Sequence, residues 1–272
     1  MITISIYFQA FIIGICIGSF LNVVVYRLPN ELSIVKPRSF CPNCRTKLSW
    51  RENIPLISWI IQRARCINCK KPISNRYPFV ELTTGSLFVI FLNSTPSFYN
   101  ASSNLFFNVI FGWVFLSLLI CITLIDIDEF WIPQSLINFG FLFGILGLIF
   151  INILNNRFID FNLLLRAISA SLISFTTFES FRKFAKYIYK KDVIGKGDSK
   201  LIAMMALWLG PTGIILSVAI SYIFAAVFCL LGIFFKLIKL KQVIPFAPFL
   251  SFGGLIVWLL GNEFFIDKLF LY

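Results

Sequence analysis

The sequence predicts an all-α polytopic membrane protein with about eight transmembrane helices and a small cysteine-rich cytosolic domain between helices 1 and 2. Three observations predict this class. The 272-residue chain is 58% hydrophobic and 13% charged, whereas soluble domains contain about 45–50% apolar and about 25% charged residues. Its apolar runs reach the length of about 20 residues that spans a bilayer. Its Lys and Arg residues, which give a net charge of +12, gather in three loops, as the positive-inside rule describes. This pattern indicates membrane topology rather than nucleic-acid binding.

The first apolar run covers about residues 6–26. We interpret it as a retained membrane helix, because the N-terminus lacks the basic region and small-residue cleavage site of a signal peptide. A basic, proline-punctuated segment follows at residues 28–78. The remaining spans are predicted at about 79–92, 105–125, 133–154, 161–178, 201–210, 214–235 and 244–260.

This count predicts three parts: a first transmembrane helix (1–27), a cytosolic domain with four cysteines (28–78) and a seven-helix membrane domain (79–272). Both termini and the uncharged linker 93–104 are expected outside, and all three basic loops inside. Gly210-Pro211 reads as an outer turn between spans six and seven. Arg157 in a predicted outer loop has Asp160 beside it and does not overturn the count.

Two acids stand at the edges of apolar runs on the predicted cytosolic face. Asp126 ends span three, and Asp198 lies in the short polar segment Gly195-Lys196-Gly197-Asp198-Ser199-Lys200. The chain has no histidine, which excludes Ser-His-Asp triads, Cys-His nucleophiles and HExxH zinc sites. Two carboxylates that share one proton can still hydrolyse a peptide, one activating water while the other protonates the leaving group. Any single acid here, Asp128 and Glu129 included, can equally be an interfacial charge that caps a helix.

Four of the seven cysteines form two pairs, Cys41-Pro-Asn-Cys44 and Cys66-Ile-Asn-Cys69, with 21 residues between them. Two such pairs can close a tetrahedral zinc site, although the spacing slightly exceeds the usual range of about 15–20 residues. Disulfides or free thiols are the alternatives, and a reducing cytosolic location argues against disulfides. Four thiolates leave no open coordination position, so a structural zinc is predicted. Cys16, Cys121 and Cys229 lie inside spans and are interpreted as packing residues.

The segment Gly195 to Asp198 resembles the GxGD motif of the intramembrane aspartyl proteases that include presenilin. The wider pattern resembles the bacterial prepilin peptidases (type IV prepilin leader peptidase / N-methyltransferase). The matching motifs, besides the two cysteine pairs and the segment from Gly195 to Lys200, are Gly14, Gly18-Ser19-Phe20-Leu21-Asn22-Val23, Arg27-Leu28-Pro29, Pro72-Ile73-Ser74, Arg76-Tyr77-Pro78, Glu81-Leu82, Ile125-Asp126 with Pro133, and Pro245-Phe246-Ala247-Pro248-Phe249-Leu250. They run in order over nearly the whole chain.

The resemblance implies that Asp126 and Asp198 are the catalytic pair, with Asp126 chosen over Asp128 by its spacing to Pro133. It implies cleavage of the short basic leader of type IV prepilins or pseudopilins at the cytosolic face of the bacterial inner membrane. It also implies N-methylation of the new N-terminal residue, usually Phe, with S-adenosyl-L-methionine as methyl donor and a contribution from residues 28–78. No Gly-rich Rossmann loop is found, so the donor-binding residues stay unassigned. Glu81 can pair with Arg76, meet the substrate amine, or reach back to water.

Three positions depart from the family pattern. Gln134 follows Pro133 where Asp or Asn is usual, Ala247 replaces a common glycine, and Ala64 replaces a glycine before the second cysteine pair. None removes a proposed catalytic group. The change at Ala64 is expected to alter the turn into the cysteine site.

Two functions from other classes compete with the peptidase. A polytopic transporter would use the two acids as a proton relay beside a structural zinc domain. Inverted repeats would favour it, but none is found, and both acids lie at one face rather than at the midplane. An inactive scaffold of a secretion system is the third. In every case the basic loops are expected to face anionic membrane lipids, and no nucleic-acid partner is predicted.

Overall fold

The computed structural model describes residues 2–93, 105–156, 161–191, 195–239 and 242–270. Within these ranges the chain is helical and has no strand, only two isolated β-bridges, so the predicted all-α class is confirmed. The helices are α1 (Ile2–Arg27), α2 (Ile57–Ile61), α3 (Arg76–Asn93), α4 (Leu105–Glu129), α5 (Gln134–Asn156), α6 (Phe161–Tyr189), α7 (Lys196–Phe234), α8 (Ala247–Leu260) and α9 (Asn262–Phe270). Four of the helices, α1, α4, α6 and α7, are long and apolar enough to cross a membrane.

The chain divides into two compact units, Met1–Asn93 and Ser94–Tyr272. The first unit contains α1, the cysteine-bearing segment and α3. The sequence assigned the second predicted span, which corresponds to α3, to the membrane domain. In the structure α3 belongs to the first unit, which ends at Asn93. The three-part division therefore stays a prediction.

Close packing of α1 against α3 explains the glycines near the N-terminus. A Cβ atom added at Gly14 would lie 2.6 Å from the Cα of Gly85, and one at Gly18 would lie 2.8 Å from the Cα of Glu81. Side chains larger than hydrogen therefore cannot be accommodated at either position without moving backbone. Small residues at such contacts let two helices approach closely, as is common in membrane proteins.

The second unit is built around α7, whose residues 201–210 are all buried. Phe115 of α4, Trp208 of α7 and Trp258 of α8 form a ring cluster with centroids 5.0–6.0 Å apart. The Trp208 indole N–H donates to the carbonyl of Gly140 in α5 at 2.9 Å. Helices α4, α5 and α8 therefore pack on the first half of α7 and hold this half of the helix in position.

The predicted turn between spans six and seven is a break inside α7. Gly210 has φ 72° and ψ −178°, and Pro211 follows it. A positive φ of this kind suits glycine, since other residues pay a steric cost there. The helix resumes beyond the break and ends at Phe234, one residue from the predicted end.

Several boundaries differ from the prediction. Helix α6 continues 11 residues past residue 178, to Tyr189, helped by an ion pair between Glu179 and Arg182 one turn apart at 2.6 Å. Helix α8 begins at Ala247 rather than residue 244, with a proline in its first two positions, where the absent N–H costs nothing. Helix α9 was not predicted. The linker residues 94–104, the outer loop with Arg157 and Asp160, and Lys241 lie outside the described residues.

Candidate active site and candidate metal centre

Asp126 lies in the last turn of α4 and is 6% exposed. Its Oδ2 accepts a hydrogen bond from the backbone N–H of Ala247 at 3.2 Å. The sequence placed this residue at the end of span three, and the helix runs on to Glu129 before the turn at Phe130, whose φ is 53°. The helix therefore holds the Asp126 backbone, and the start of α8 holds its side chain.

The neighbouring acids are placed differently. Asp128 and Glu129 are exposed at the end of α4, whereas Asp126 is buried. At about 100° per residue, Asp128 points about 160° away from Asp126, whereas Glu129 lies only about 60° away and is exposed because it ends the helix. The geometry therefore separates the three acids, which the residues alone did not.

Asp198 lies in the first turn of α7 and is 8% exposed. Its carboxylate accepts a hydrogen bond from the backbone N–H of Gly195, the residue that caps the helix. An acid at the third helical position that reaches back to the cap is half of a capping box, and the helix N-terminus favours negative charge. The polar segment found in the sequence is thus the cap and first turn of a helix.

The two glycines of this segment have different roles. A Cβ added at Gly197 would lie 2.9 Å from the Cβ of Ile132, in the loop between α4 and α5. Gly197 therefore lets the first turn of α7 approach that loop closely. Gly195 has an ordinary extended conformation, with φ −64° and ψ 140°, so no left-handed backbone requires glycine there.

The structure brings Asp126 and Asp198 together. They come from different helices, and Asp126 is close enough for its charge to act on Asp198. Three segments converge at this point: the end of α4, the start of α7 and the start of α8. Two buried carboxylates held by backbone N–H groups in an apolar surrounding form an arrangement that can share a proton and activate water.

Tyr222, in the second half of α7, was not identified from the sequence. Its phenol lies close enough to Asp198 for the carboxylate charge to act on it. Its ring packs on the ring of Phe246 with centroids 5.1 Å apart. Nothing in the sequence marks Tyr222 as a neighbour of Asp198, since Tyr222 is one aromatic residue in a long apolar run.

Two of the departures from the family pattern touch this site. The Lys200 ammonium donates to the side-chain carbonyl of Gln134, which joins the first turns of α5 and α7. Ala247 is fully buried and contributes its backbone N–H, a group that every residue except proline supplies. Neither departure removes a polar contact to the two carboxylates.

The four predicted metal ligands also converge. The Sγ atoms of Cys41, Cys44, Cys66 and Cys69 all lie within 4.8 Å of one another. Those of Cys41 and Cys69 are 3.9 Å apart, close to the edge of about 3.8 Å expected for a tetrahedron with metal–sulfur bonds of about 2.3 Å. This is far longer than the sulfur–sulfur bond of about 2.05 Å in a disulfide, and all four thiols are free. The residues fit a metal ion.

The two halves of the cysteine site repeat one backbone conformation. The N–H of Cys41 donates to the carbonyl of Thr46, and that of Cys66 donates to the carbonyl of Lys71, both at 3.0 Å. The residue after each second cysteine has a left-handed φ, 59° at Arg45 and 58° at Lys70. Each knuckle therefore aims its two thiols at a common point.

Hydrogen bonds already favour thiolate at part of this site. The hydroxyl and the backbone N–H of Thr46 lower the pKa of Cys44 to about 6. Backbone N–H groups of Cys69 and Asn68 lower the pKa of Cys66. Metal ions bind thiolates rather than thiols, so these donors prepare the ligands.

Ala64 precedes the second knuckle in a left-handed conformation, with φ 56°. Its N–H donates to the carbonyl of Trp59 at 2.9 Å, in a turn whose left-handed φ glycine would adopt without strain. Alanine in this conformation carries backbone strain of about 1–2 kcal/mol, and the alteration of the turn expected from the family pattern stays a prediction.

Comparisons with known proteins decide the family. Residues 12–95 match the bacterial peptidase A24 N-terminal domain, and residues 113–230 match the type IV leader peptidase family. The chain is 31% identical over 279 residues to a prepilin leader peptidase/N-methyltransferase of Aeromonas salmonicida, covering 93% of this chain and 90% of the relative. The chain belongs to the type IV leader peptidase family.

Two further relatives have names that agree with this assignment to the family. A type 4 prepilin-like proteins leader peptide-processing enzyme of Escherichia coli O78:H11 is 30% identical over 263 residues, covering 89% of each chain. A prepilin leader peptidase/N-methyltransferase of Myxococcus xanthus is 37% identical over 212 residues, covering 73% of this chain and 55% of the relative. No solved structure matches the chain.

Proposed function

We propose that this protein removes the leader peptide of type IV prepilin-like precursors with the carboxylates of Asp126 and Asp198, and then methylates the new N-terminal amine. The observation that carries the proposal is the convergence of two buried acids from α4 and α7, one of them held by the start of α8. Two relatives that match this chain over about 90% of their own length have names that describe this processing.

The two carboxylates divide the work of hydrolysis. With one proton shared between them, the ionised acid takes a proton from a water molecule, and the water attacks the scissile carbonyl carbon. The protonated acid then gives its proton to the leaving nitrogen. The N–H groups of Ala247 and Gly195 hold the carboxylates in place, so little reorganisation is needed during the reaction.

The surroundings of the site suit a membrane-bound substrate. Asp126 ends one apolar helix and Asp198 begins another, both long enough to cross a bilayer. A precursor with a hydrophobic helix and a short basic leader would reach such a site from within the bilayer. We place the two aspartates and the cysteine domain on the cytosolic side of the bacterial inner membrane, with the basic loops facing anionic lipids, as the loop charges indicate.

The cysteine cluster, in this proposal, holds a structural zinc ion. Four thiolates with tetrahedral spacing are the ligand set that zinc prefers. The ion would join the two knuckles and supply folding free energy to a segment with few buried apolar residues. S-Adenosylmethionine would supply the methyl group, as the N-methyltransferase names of the relatives suggest.

The test is cleavage of a prepilin by detergent-solubilised Asp126→Asn and Asp198→Asn, with Asp128→Asn as the matched control. We expect each of the first two to lose at least about 10³-fold in kcat, because an amide can neither take nor give the proton. Asp128→Asn, an exposed acid of the same helix turn, should stay within about twofold of the wild type. Wild-type cleavage by either dyad variant would exclude the assignment.

A further inference from the structure

The first unit contains a cavity that the peptidase function does not use. Its volume is about 350 Å³, within the range of about 300–1,000 Å³ of small-molecule sites. The walls come from the last turns of α1, the first turns of α3 and the segment between the two cysteine knuckles. The lining includes the side chains of Ser19, Asn22, Tyr26, Trp59, Tyr77 and Glu81.

Glu81 is a carboxylate buried in the wall of this cavity, with 6% of the residue exposed. It therefore does not reach back to water. Its Oε2 accepts the backbone N–H of Leu56 at 2.8 Å, and the Ser19 side chain also hydrogen-bonds to it. Within the described part of the chain, no salt bridge joins Glu81 to a cationic side chain. A buried carboxylate with neutral donors alone is costly, and a cation in the cavity would compensate it.

The backbone that contacts Glu81 is itself strained. Leu56 has φ 60° and ψ −51°, a conformation that residues with a side chain rarely adopt. Strain of this kind persists where the surrounding structure enforces it, and it concentrates at ligand sites. Here it directs the Leu56 N–H onto the carboxylate and so fixes the orientation of Glu81 toward the cavity.

The rest of the lining suits a heteroaromatic ligand. The rings of Tyr26, Trp59 and Tyr77 contribute flat apolar surface, which can stack on a nucleobase and attract a cation. Asn22 is buried, and its amide N–H donates to the Tyr77 carbonyl at 3.2 Å, which ties α1 to α3 across the cavity. The site therefore combines the buried acid Glu81 and several aromatic rings with further polar side chains, among them the charged Arg27, Glu52 and Lys71.

We propose that this cavity is the binding site for S-adenosylmethionine, with Glu81 facing the cationic amino acid and sulfonium part and the aromatic rings holding the adenine. This inference rests on the proposed methyltransferase function. A lysine or arginine side chain from a leader peptide would also neutralise Glu81, but one aliphatic side chain would leave most of the cavity and its aromatic walls unused. A nucleoside with a positive charge uses both.

The transfer that follows is balanced. The neutral amine nitrogen attacks the methyl carbon and forms a new N–C bond. The S–C bond breaks, and its electron pair returns to sulfur, so the sulfonium becomes the neutral thioether of S-adenosylhomocysteine. Starting from the ammonium form of the amine, one proton is released to water. Glu81 positions the donor through charge and does not enter these bond changes.

The test measures binding of S-adenosylhomocysteine to the full-length detergent-solubilised protein by equilibrium dialysis. We expect Glu81→Gln and Trp59→Ala to raise Kd at least tenfold, while Glu31→Gln, an exposed acid of the same unit that does not line the cavity, leaves Kd within twofold. Retained prepilin cleavage and metal content in the variants would show that they fold. Unchanged Kd in both cavity variants would overturn the inference.

A measurement on the wild type does not depend on the variants folding. S-Adenosylhomocysteine should slow hydrogen exchange of the backbone amides at residues 52–62 and 74–81, which surround the cavity. Protection confined to other segments would overturn the inference, as would a Glu81→Gln variant whose only defect is a raised KM for the prepilin. A wild type that neither binds the probe nor methylates cleaved pilin would instead remove the methyltransferase half of the proposed function.

Discussion

The carboxylate pair and the cysteine cluster are built in opposite ways. The cluster is local: two knuckles of the same conformation, 21 residues apart, each orient their own two thiols. The carboxylate pair is assembled from three distant segments, α4, α7 and α8, and neither acid is prepared by its immediate neighbours alone. The arrangement of the cluster should therefore depend on its four cysteines and on a bound metal ion, whereas the arrangement of the two carboxylates should depend on how the helices pack.

The largest expected effect is the loss of bound metal when one cysteine of the cluster is replaced. Cys41→Ser should reduce zinc from one ion per chain to nearly none, because structural zinc sites contribute about 10–16 kcal/mol of apparent binding free energy. Residues 28–78 should then be cut readily by added protease. Atomic absorption and limited proteolysis measure both effects. Cys16→Ser, in α1 and outside the cluster, is the control; equal zinc content in the two variants would refute the metal site.

Helix packing is the corresponding weak point of the carboxylate pair. Gly197→Ala would place a Cβ 2.9 Å from the Cβ of Ile132 and so push the first turn of α7 away from the loop that follows α4. Displacement of a catalytic group by about 1 Å costs on the order of 10²-fold in rate. We expect a loss of that size in prepilin cleavage, with normal zinc content. Lys196→Ala, exposed in the same turn, should cleave as the wild type does.

A smaller effect is expected at Tyr222. Removal of its hydroxyl in Tyr222→Phe would take away a polar neighbour of Asp198 and leave the ring packing on Phe246. Loss of one polar neighbour of a buried carboxylate costs about 1 kcal/mol, so kcat should fall about fivefold to tenfold while KM stays the same. Steady-state kinetics with Tyr187→Phe as the surface control measures this. A change confined to KM would show that Tyr222 contacts substrate rather than orienting the acid.

The smallest effect is at Ala64, beside the cluster. Ala64→Gly should stabilise the protein by about 1 kcal/mol, since glycine adopts a φ of 56° without the steric cost that alanine pays. Ala185→Gly, inside α6, should destabilise by about 1 kcal/mol because glycine is a poor helix former. Thermal unfolding in detergent should therefore shift in opposite directions. Shifts of the same sign would contradict the turn described here.

These two regions also show what the sequence could predict. The spacing of Cys41, Cys44, Cys66 and Cys69 contains the whole metal site, because each knuckle forms from adjacent residues. Apolar runs predicted the long helices well, apart from the extension of α6. The short helices α2 and α9 were not predicted, because charge and brevity hide the periodic signal. The contacts of Asp126 with Ala247, and of Asp198 with Tyr222, could not be predicted, since they arise only when α7 and α8 pack on α4.

The resemblance to the family selected Asp126 over Asp128, and burial now gives a physical reason for that choice. The two glycines before Asp198 differ in their surroundings. Gly197 serves close packing against Ile132, whereas Gly195 caps a helix in an ordinary conformation.

The most direct test of the central claim is a double-mutant cycle on the two aspartates. Prepilin cleavage is measured for Asp126→Asn, Asp198→Asn and the double variant. Because the effects of residues that act as one unit are not additive, we expect the double variant to be no slower than the slower single variant. Losses in kcat that multiply in the double variant would mean that the two carboxylates act independently, which would contradict a shared catalytic site.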